Sequence, residues 1–549
     1  MTRLLTLLLI LLPTVVLGTE RPNILLLMME DLSPRVGAFG DAVAVTPNID
    51  KLASQGVRYT NTFAPSGVCA TSRAALISGM HQESIGAQHM RAYKGGPAKY
   101  YTVPPKQMKA FPELLRADGY FTFNSNKLDY QFSNVRAGSG PFTIWDDEID
   151  NDFDFTKVPF GQPFFGYLNF LGTHESGLFP RNVFPRSMTH LMGQLMQTYQ
   201  HWNTEDQVFA EDVEVPPYYP DSPVVRKDIA RQYNNIITVD RQVGEVLERL
   251  DASGQAENTI VIWTTDHGDG LPRAKRELYD SGIEVPMIIR WPEKFRPIGA
   301  DPGSVDDRLI SFVDIAPTFL SLAGVPLPEY LQGEAFAGSA ETPQREYVYA
   351  ARDRLGKVSD RQRAVRDKRY KYIRNYNLEA GAFHLDYRDD LDIMRELWRM
   401  LKAGELDEVQ RQWFLPRQQE MLFDTESDPH EIHNLADDPA YAAQLIRLRN
   451  AYQRHRQLVP DLSDEGEAVM AQGFWPDGVQ PATATPKLLL DGDIVSISCD
   501  SEGASIGYRV NGEGWRLYTT PIKLAADDQI EAKAVRYGWS ESEIVEWNF

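Results

Sequence analysis

Three short, unbroken apolar runs constrain the fold of this chain most strongly. They cover Asn23–Met29, residues 163–170 and residues 258–265. Such runs are typical of strands that are buried on both faces of a mainly parallel sheet. Residues 225–250 place apolar side chains at spacings of three, four and seven, which predicts an amphipathic helix. Because strands alternate with helical patterns, the chain is predicted to be α/β.

Polar side chains follow each of these three runs. Glu30 and Asp31 come directly after the first run, His174 follows the second, and Asp266 and His267 follow the third. In open α/β sheets, ligands bind beyond the carboxyl ends of the strands. Any one of these groups alone would be read as a solvated turn. Together they predict one site with metal ligands or acid–base groups.

Cys69 is one of only two cysteines in 549 residues. It follows the turn-like residues 64–67 and precedes a helix predicted to begin near Thr71 or Ser72. A helix N-terminus favours anions and lowers the pKa of a thiol, and Arg73 in the first turn could reach the same anion. The residues alone leave three readings of Cys69: a thiolate nucleophile, a metal ligand or a small buried hydrophobic side chain.

Charge and the N-terminal segment limit the partners and the location. With 56 basic and 77 acidic residues the net charge is −21, which excludes nucleic acid as a general partner. Residues 1–18 combine Arg3, an apolar run over residues 4–12 and a small-residue end, the pattern of a secretory signal. The run is too short for a transmembrane anchor. We therefore expect a secreted or periplasmic protein with no membrane span after signal cleavage.

The stretch Cys69-Ala-Thr-Ser-Arg73, followed by Leu76 and Gly79, resembles the signature of type I sulfatases. In that family the cysteine is converted to formylglycine. Further motifs in the family's order extend the resemblance over residues 21–450, and in motif detail the chain is most similar to bacterial heparan N-sulfatase-like sulfatases. The resemblance implies an alkaline-phosphatase-like mixed sheet flanked by helices, followed by a smaller C-terminal α+β subdomain.

Two residues depart from the family pattern. Thr71 stands where the family usually has proline or alanine, and Glu30 replaces the first of two paired aspartates. Glutamate still offers a hard oxygen to a cation. The resemblance implies one divalent metal, expected to be Ca²⁺, with ligands from Glu30, Asp31, Cys69, Asp266 and His267.

The resemblance also implies roles for the catalytic residues. Formylglycine made from Cys69 by a formylglycine-generating enzyme, or an equivalent maturase, would be the nucleophile. Arg73 would orient its hydrated form, and Lys275 would clamp the sulfate together with the metal. His174 would protonate the leaving alcohol. Lys127 is a further catalytic candidate.

The implied substrate is a sulfated oligosaccharide or polysaccharide. His89, Arg91, Arg352 and Arg354 are predicted to line a glycan pocket, and the alternative for such basic residues is a solvated charged face. Two other functions stay open at this stage. One is phosphoester or phosphonate hydrolysis on the same fold, and the other is a catalytically silent glycan-binding protein in which Cys69 remains a thiol.

The domain boundaries follow from composition and from the resemblance. The catalytic domain is predicted over residues 19–340, the subdomain over residues 341–470 and a Pro- and Gly-containing linker over residues 471–487. Residues 488–549 alternate apolar and polar positions, which predicts an antiparallel β-sandwich. This module resembles the C-terminal Ig-like domain of chitobiases and β-hexosaminidases. Trp515, Tyr518 and Trp539 either stack on sugars or pack the module.

Overall fold

The computed structural model describes residues 21–136, 138–149, 153–181, 183–200, 205–379, 381–385 and 387–549. The predicted signal segment, residues 1–18, lies outside these residues. Within the described ranges, no helix is both long and apolar enough to cross a bilayer.

A large mixed sheet organises the first half of the molecule. In the described chain its strands are β1 (Asn23–Met29), β2 (Val57–Phe63), β3 (Phe121–Ser125), β4 (Asp147–Ile149), β5 (Phe164–Phe170), β6 (Thr259–Thr265), β7 (Glu284–Arg290) and β8 (Val305–Ser311). Their order is β4-β3-β5-β1-β6-β7-β2-β8. Strand β7 is antiparallel to β6 and β2, and the other neighbours are parallel. The predicted α/β class with a mixed sheet is confirmed.

Helices flank this sheet. They are α1 (Pro47–Gln55), α2 (Cys69–Ser78), α3 (Phe111–Ala117), α4 (Met188–Gln200), α5 (Pro223–Ala252), α6 (Asp280–Ile283) and α7 (Ile315–Ala323). The helix predicted over residues 225–250 is α5. It begins earlier because Ser222 caps it, accepting a hydrogen bond from the Val225 amide, and because Pro223 suits the first helical position.

Strand β1 shows why its sequence is an unbroken apolar run. Ile24, Leu26 and Met28 lie in the hydrophobic core on one side of the sheet. Leu25, Leu27 and Met29 lie in the core on the other side. Full burial of each such side chain stabilises the fold by about 2 kcal/mol. The strand is therefore fixed from both faces, and its carboxyl end is held rigidly.

The subdomain adds an antiparallel sheet with helices. Its elements are β9 (Val348–Arg352), β10 (Gln362–Arg366), β11 (Tyr370–Asn375), α8 (Asp392–Ala403), α9 (Glu408–Arg411), β12 (Glu420–Asp424), α10 (Ala442–Leu458) and α11 (Glu467–Phe474). The strand order is β12-β11-β10-β9. Leu448 and Tyr452 of α10 pack against Val365 and Tyr372 of the sheet.

The C-terminal module consists of two antiparallel sheets. Strands β13 (Lys487–Asp491), β14 (Ile494–Ser498) and β17 (Ile522–Lys523) form one sheet; β15 (Ser505–Val510), β16 (Arg516–Leu517), β18 (Gln529–Val535) and β19 (Val545–Asn548) form the other. Val495 and Ile497 from the first share a core with Ile530 and Ala532 from the second. The predicted sandwich is present, and the Ig-like resemblance stays a prediction.

The module docks on the catalytic domain through specific contacts. The Tyr537 hydroxyl donates to Glu113 at 2.6 Å, and the Trp515 ring lies 5.5 Å from that of Phe142. In the predicted linker, the buried Trp475 indole donates to the Gly538 carbonyl at 3.1 Å. Trp515 therefore packs between the module and the catalytic domain.

Candidate active site

The parallel strands β1, β5 and β6 deliver their terminal side chains to one edge of the sheet. The Asp31 amide donates to Asp266 Oδ1 at 3.1 Å, and His267 Nε2 lies 3.1 Å from Asp31 Oδ1. His174 Nε2 lies 3.9 Å from Glu30 Oε2. The structure thus brings together all five residues that follow the three apolar runs.

Helix α2 begins at Cys69, so the predicted start near Thr71 or Ser72 is wrong by two or three residues. The N-cap is Val68, an extended residue without a capping side chain, and for this reason the sequence carries no capping signal there. Thr71 lies in the first turn, where backbone amides have no intrahelical partner and proline is also tolerated. Its hydroxyl donates to Ser66 Oγ at 2.6 Å.

The sulfur of Cys69 faces the converging strand ends. Its Sγ lies 3.4 Å from His267 Nε2, 3.5 Å from Lys275 Nζ and 3.8 Å from Asp31 Oδ1. Burial by itself would raise the pKa of this thiol, but Lys127 and Lys275 outweigh burial and lower it. The two lysines therefore favour the thiolate form of Cys69 over the thiol.

The fully buried guanidinium of Arg73 donates hydrogen bonds to four side chains of the site. Its Nε donates to Asp266 at 3.0 Å and its Nη2 to Glu30 at 3.1 Å. Nη1 donates to the Tyr167 hydroxyl at 3.1 Å and also to Asn169. Tyr167 and Asn169 are not among the predicted site residues, although two polar residues at spacing two within an apolar strand are a signal of a buried polar partner.

Two lysines complete the charge balance. Lys127 contacts Glu30, and Lys275 contacts Asp31. With Arg73, the site holds three permanent cations against the three carboxylates of Glu30, Asp31 and Asp266. An added divalent cation would leave this centre with an excess of positive charge, which suits an anionic substrate.

The donor set fits a divalent cation. Asp31, Cys69, Asp266 and His267 offer ligand atoms within 4.8 Å of one another, and an overlapping set contains Glu30, Asp31, Cys69 and His174. Burial would lower the pKa of His267, but Asp266 and Asp31 outweigh burial and raise it to about 10. Asp266 and Asp31 therefore stabilise a positive charge at this centre.

His174 has a defined orientation. Its Nδ1 accepts a hydrogen bond from the Ser176 amide at 3.3 Å, which leaves Nε2 to carry the proton and to face Glu30. Burial, together with Lys275, lowers the pKa of His174 to about 4. Its side chain is 18% exposed, so the ring also borders the open space above the site.

A cavity of about 280 Å³ opens above Glu30, Lys127 and His174. Arg91 also lines it and forms an ion pair with Asp129 at 2.6 Å. Backbone φ is positive at four non-glycine residues around this space, which are Asp31, Arg91, Asn126 and Asp129. Such conformations cluster at functional sites. Lys94, Asn126 and Arg136 line the same cavity and are not among the predicted site residues.

The other three residues predicted to bind glycan lie in buried ion pairs and hydrogen bonds. Arg352 contacts Glu277, and Arg354 pairs with Glu467 at 2.6 Å. His89 Nδ1 accepts a hydrogen bond from the Arg354 amide at 3.3 Å. These side chains are neither on a solvated face nor among the residues that line the cavity above Glu30.

Known proteins similar to this chain include sulfatases. The sulfatase family matches residues 22–325, and the family of N-sulphoglucosamine sulphohydrolase C-terminal domains matches residues 273–415. An ulvan-active sulfatase of Formosa agariphila is 41% identical over 556 residues, covering 96% of this chain and 91% of that protein. Human N-sulphoglucosamine sulphohydrolase is 25% identical over 462 residues, covering 78% of this chain and 88% of that protein. A solved structure in complex with its substrate D-glucosamine-2-N,6-O-disulfate superposes with a TM-score of 0.55 at 17% identity. The match covers 81% of this chain and 99% of that chain.

Proposed function

This chain belongs to the sulfatase family, and on that basis we propose that it is an exported enzyme that removes sulfate from a sulfated polysaccharide or its oligosaccharides. The nucleophile would be formylglycine made from Cys69, assisted by one calcium ion. One observation carries the proposal: the sulfur of Cys69 lies within 4 Å of His267, Lys275 and Asp31, at the N-terminus of a buried helix.

The metal would be held by Glu30, Asp31, Asp266 and His267 with the modified residue 69. Carboxylate oxygens are the ligands that calcium prefers, which supports this ion over softer metals. When bound, it would polarise the sulfate oxygens and offset charge that develops during transfer.

The chain's own residues supply the remaining chemistry. The hydrated aldehyde at position 69 would offer two hydroxyls where the thiol now stands. Lys275, whose Nζ is 3.5 Å from the sulfur, would bind a sulfate oxygen at the same centre. Arg73 holds Glu30 and Asp266 in register through its buried guanidinium.

His174 would give a proton to the leaving oxygen. Its Nε2 carries the proton because Nδ1 is occupied by the Ser176 amide, and Nε2 borders the cavity. The negative charge of a bound sulfate would raise the pKa of this ring towards neutrality. A proton donor here matters most when the leaving alcohol is a sugar hydroxyl of high pKa.

The substrate class follows from the relatives and from the cavity. The 41% identical relative is ulvan-active, so ulvan oligosaccharides are the first substrates to test. The match to the C-terminal family of N-sulphoglucosamine sulphohydrolases makes sulfamates of glucosamine the second. Arg91, at the cavity wall, is placed to contact an acidic or hydroxyl group of the sugar.

The test is co-expression with a formylglycine-generating enzyme, followed by mass spectrometry of the peptide that carries Cys69 and by sulfate release from defined saccharides. We expect an aldehyde at position 69 and release from a sulfated sugar. Turnover of phosphonate monoesters without sulfate release would favour the phosphonate hydrolase alternative. An unmodified thiol in fully matured protein, with no release from any saccharide, would favour the silent glycan-binding alternative.

A further inference from the structure

A second cluster of ligand-type side chains lies at the other end of α2 from Cys69. His81 and Glu83 follow the C-terminal end of this helix, and His455 comes from α10 of the subdomain. Each offers one ligand atom, and these atoms lie within 4.8 Å of one another. A ten-residue helix is about 15 Å long, so this cluster is separate from the Cys69 centre.

Three polar atoms of this cluster have no hydrogen-bond partner among the described residues. They are His81 Nδ1, Glu83 Oε2 and His455 Nε2. His81 is 2% and Glu83 4% exposed, and Glu83 Oε1 is 4.0 Å from His455 Nε2, too far for a hydrogen bond. Each such buried atom costs about 1–3 kcal/mol when unpaired. A cation bound by this cluster would give such buried atoms a partner.

The surrounding residues prepare the two rings to act as ligands. The ring centroids of His81 and His455 are 4.7 Å apart, and Tyr349 stacks on His455 at 3.8 Å.

Nearby arginines do not block this cluster, because carboxylates elsewhere meet their charge. Arg345 pairs with Asp314, and Arg363 pairs with Asp461 at 2.9 Å. Glu83 is therefore left to the two histidines.

We propose that His81, Glu83 and His455 bind a divalent transition metal, for which Zn²⁺ is the best match, and that the metal ties the segment after α2 to α10. Two imidazoles and one carboxylate suit zinc, whereas calcium prefers a mainly oxygen set such as the one around Cys69. Zinc bonds of about 2.0–2.2 Å require the three ligand atoms to close up slightly through side-chain rotation. His455 is 11% exposed, which leaves an open side for a water ligand.

The experiment compares Zn²⁺ binding by the chelator-treated full chain and by two variants, Asp31→Asn and His455→Gln, each of which removes one ligand from one cluster. We expect one Zn²⁺ that the Asp31→Asn variant retains and that the His455→Gln variant binds more than about 100-fold more weakly. The control variant His433→Gln, at a 76% exposed histidine, should bind Zn²⁺ like the unsubstituted chain.

A second measurement needs no variant at His455. Zn²⁺ should protect His455 from diethyl pyrocarbonate, as mapped by peptide mass spectrometry, and should raise the melting temperature of the unsubstituted chain. Zinc that is lost only in the Asp31→Asn variant, or modification of His455 at the same rate with and without Zn²⁺, would overturn the proposal.

Discussion

Two groups of buried charges in this molecule look alike in burial but differ in what they face. Around Cys69, three cations contact three carboxylates, and Lys127 and Glu30 also border an open cavity. In the subdomain sheet, Arg352 and Arg363 are as deeply buried and also contact carboxylates, those of Glu277, Asp360, Asp353 and Asp461, but neither arginine lines that cavity. Burial in an ion pair therefore does not identify a catalytic cation; an ion pair that borders a cavity does.

The difference has a physical basis. A pair of opposite charges inside a protein is neutral and rigid, so it serves packing and position. The Cys69 centre instead places the side chain of residue 69 against Lys275, next to a cavity that can admit an anion. Substitutions around Cys69 should abolish sulfate release. Substitutions of Arg352 or Arg363 should lower the free energy of unfolding.

The largest effect is expected for Cys69→Ser. The side chain is close in size, so the fold and the melting temperature should be retained, while kcat/KM for sulfate release should fall by about 10⁴-fold or more because the nucleophile is lost. Assays of sulfate release and circular dichroism check both parts. Normal turnover in this variant would refute the covalent scheme.

The next effect concerns His174→Ala. We expect kcat on a sugar sulfate to fall by about 10²–10⁴-fold, because general acid catalysis contributes that much. On 4-nitrophenyl sulfate, whose leaving group needs no proton, the loss should stay below about tenfold. Equal losses on the two substrates would remove His174 from the role of acid.

The fold and the centre of the site could be predicted because they follow from local patterns. Strand β1 has its predicted bounds, Asn23–Met29, because both its faces are buried and no polar residue interrupts it. The candidates Glu30 and Asp266 converge because parallel strands end at one edge. The start of α2 could not be predicted, since Val68 gives no capping signal.

Contacts between distant segments account for the rest. Arg352 pairs with Glu277, 75 residues away, and Arg354 with Glu467, 113 residues away. The sequence around a basic residue on a strand does not indicate whether that residue contacts a carboxylate or a ligand in the folded protein. The approach of His81 to His455 likewise depends on how the subdomain docks, which no local pattern specifies.

Arg352→Met tests the structural group. It should lower the free energy of unfolding by about 3 kcal/mol, because Glu277 and Asp360 would keep their buried charge with Arg417 alone as a partner. KM of the folded fraction should not change. Denaturant unfolding and steady-state kinetics measure the two quantities. A large rise in KM with unchanged stability would instead indicate that Arg352 binds the glycan.

Arg91→Gln tests the boundary between the two groups, since Arg91 is ion-paired yet 22% exposed at the cavity. We expect KM for a sulfated saccharide to rise about tenfold, the loss of one hydrogen bond from a charged group. The double variant Arg91→Gln with Asp129→Asn also removes the carboxylate that loses Arg91 and keeps only Lys127, at 3.8 Å, and it should show the same KM at restored stability. An unchanged KM in both variants would confine Arg91 to a structural role.

The smallest effect is a pH dependence of stability from Asp129. Burial would raise the pKa of this carboxyl, but Arg91 outweighs burial and lowers it to about 2, below its ordinary 3.8. A lowered pKa stabilises the fold above pH 4, and that stabilisation is lost as the pH falls towards 2. Between pH 6 and pH 3 the unsubstituted chain should therefore lose about 1 kcal/mol more than the double variant with Arg91→Gln and Asp129→Asn. Urea unfolding at the two pH values measures this difference, and equal losses would show that Asp129 is not held as an anion by Arg91.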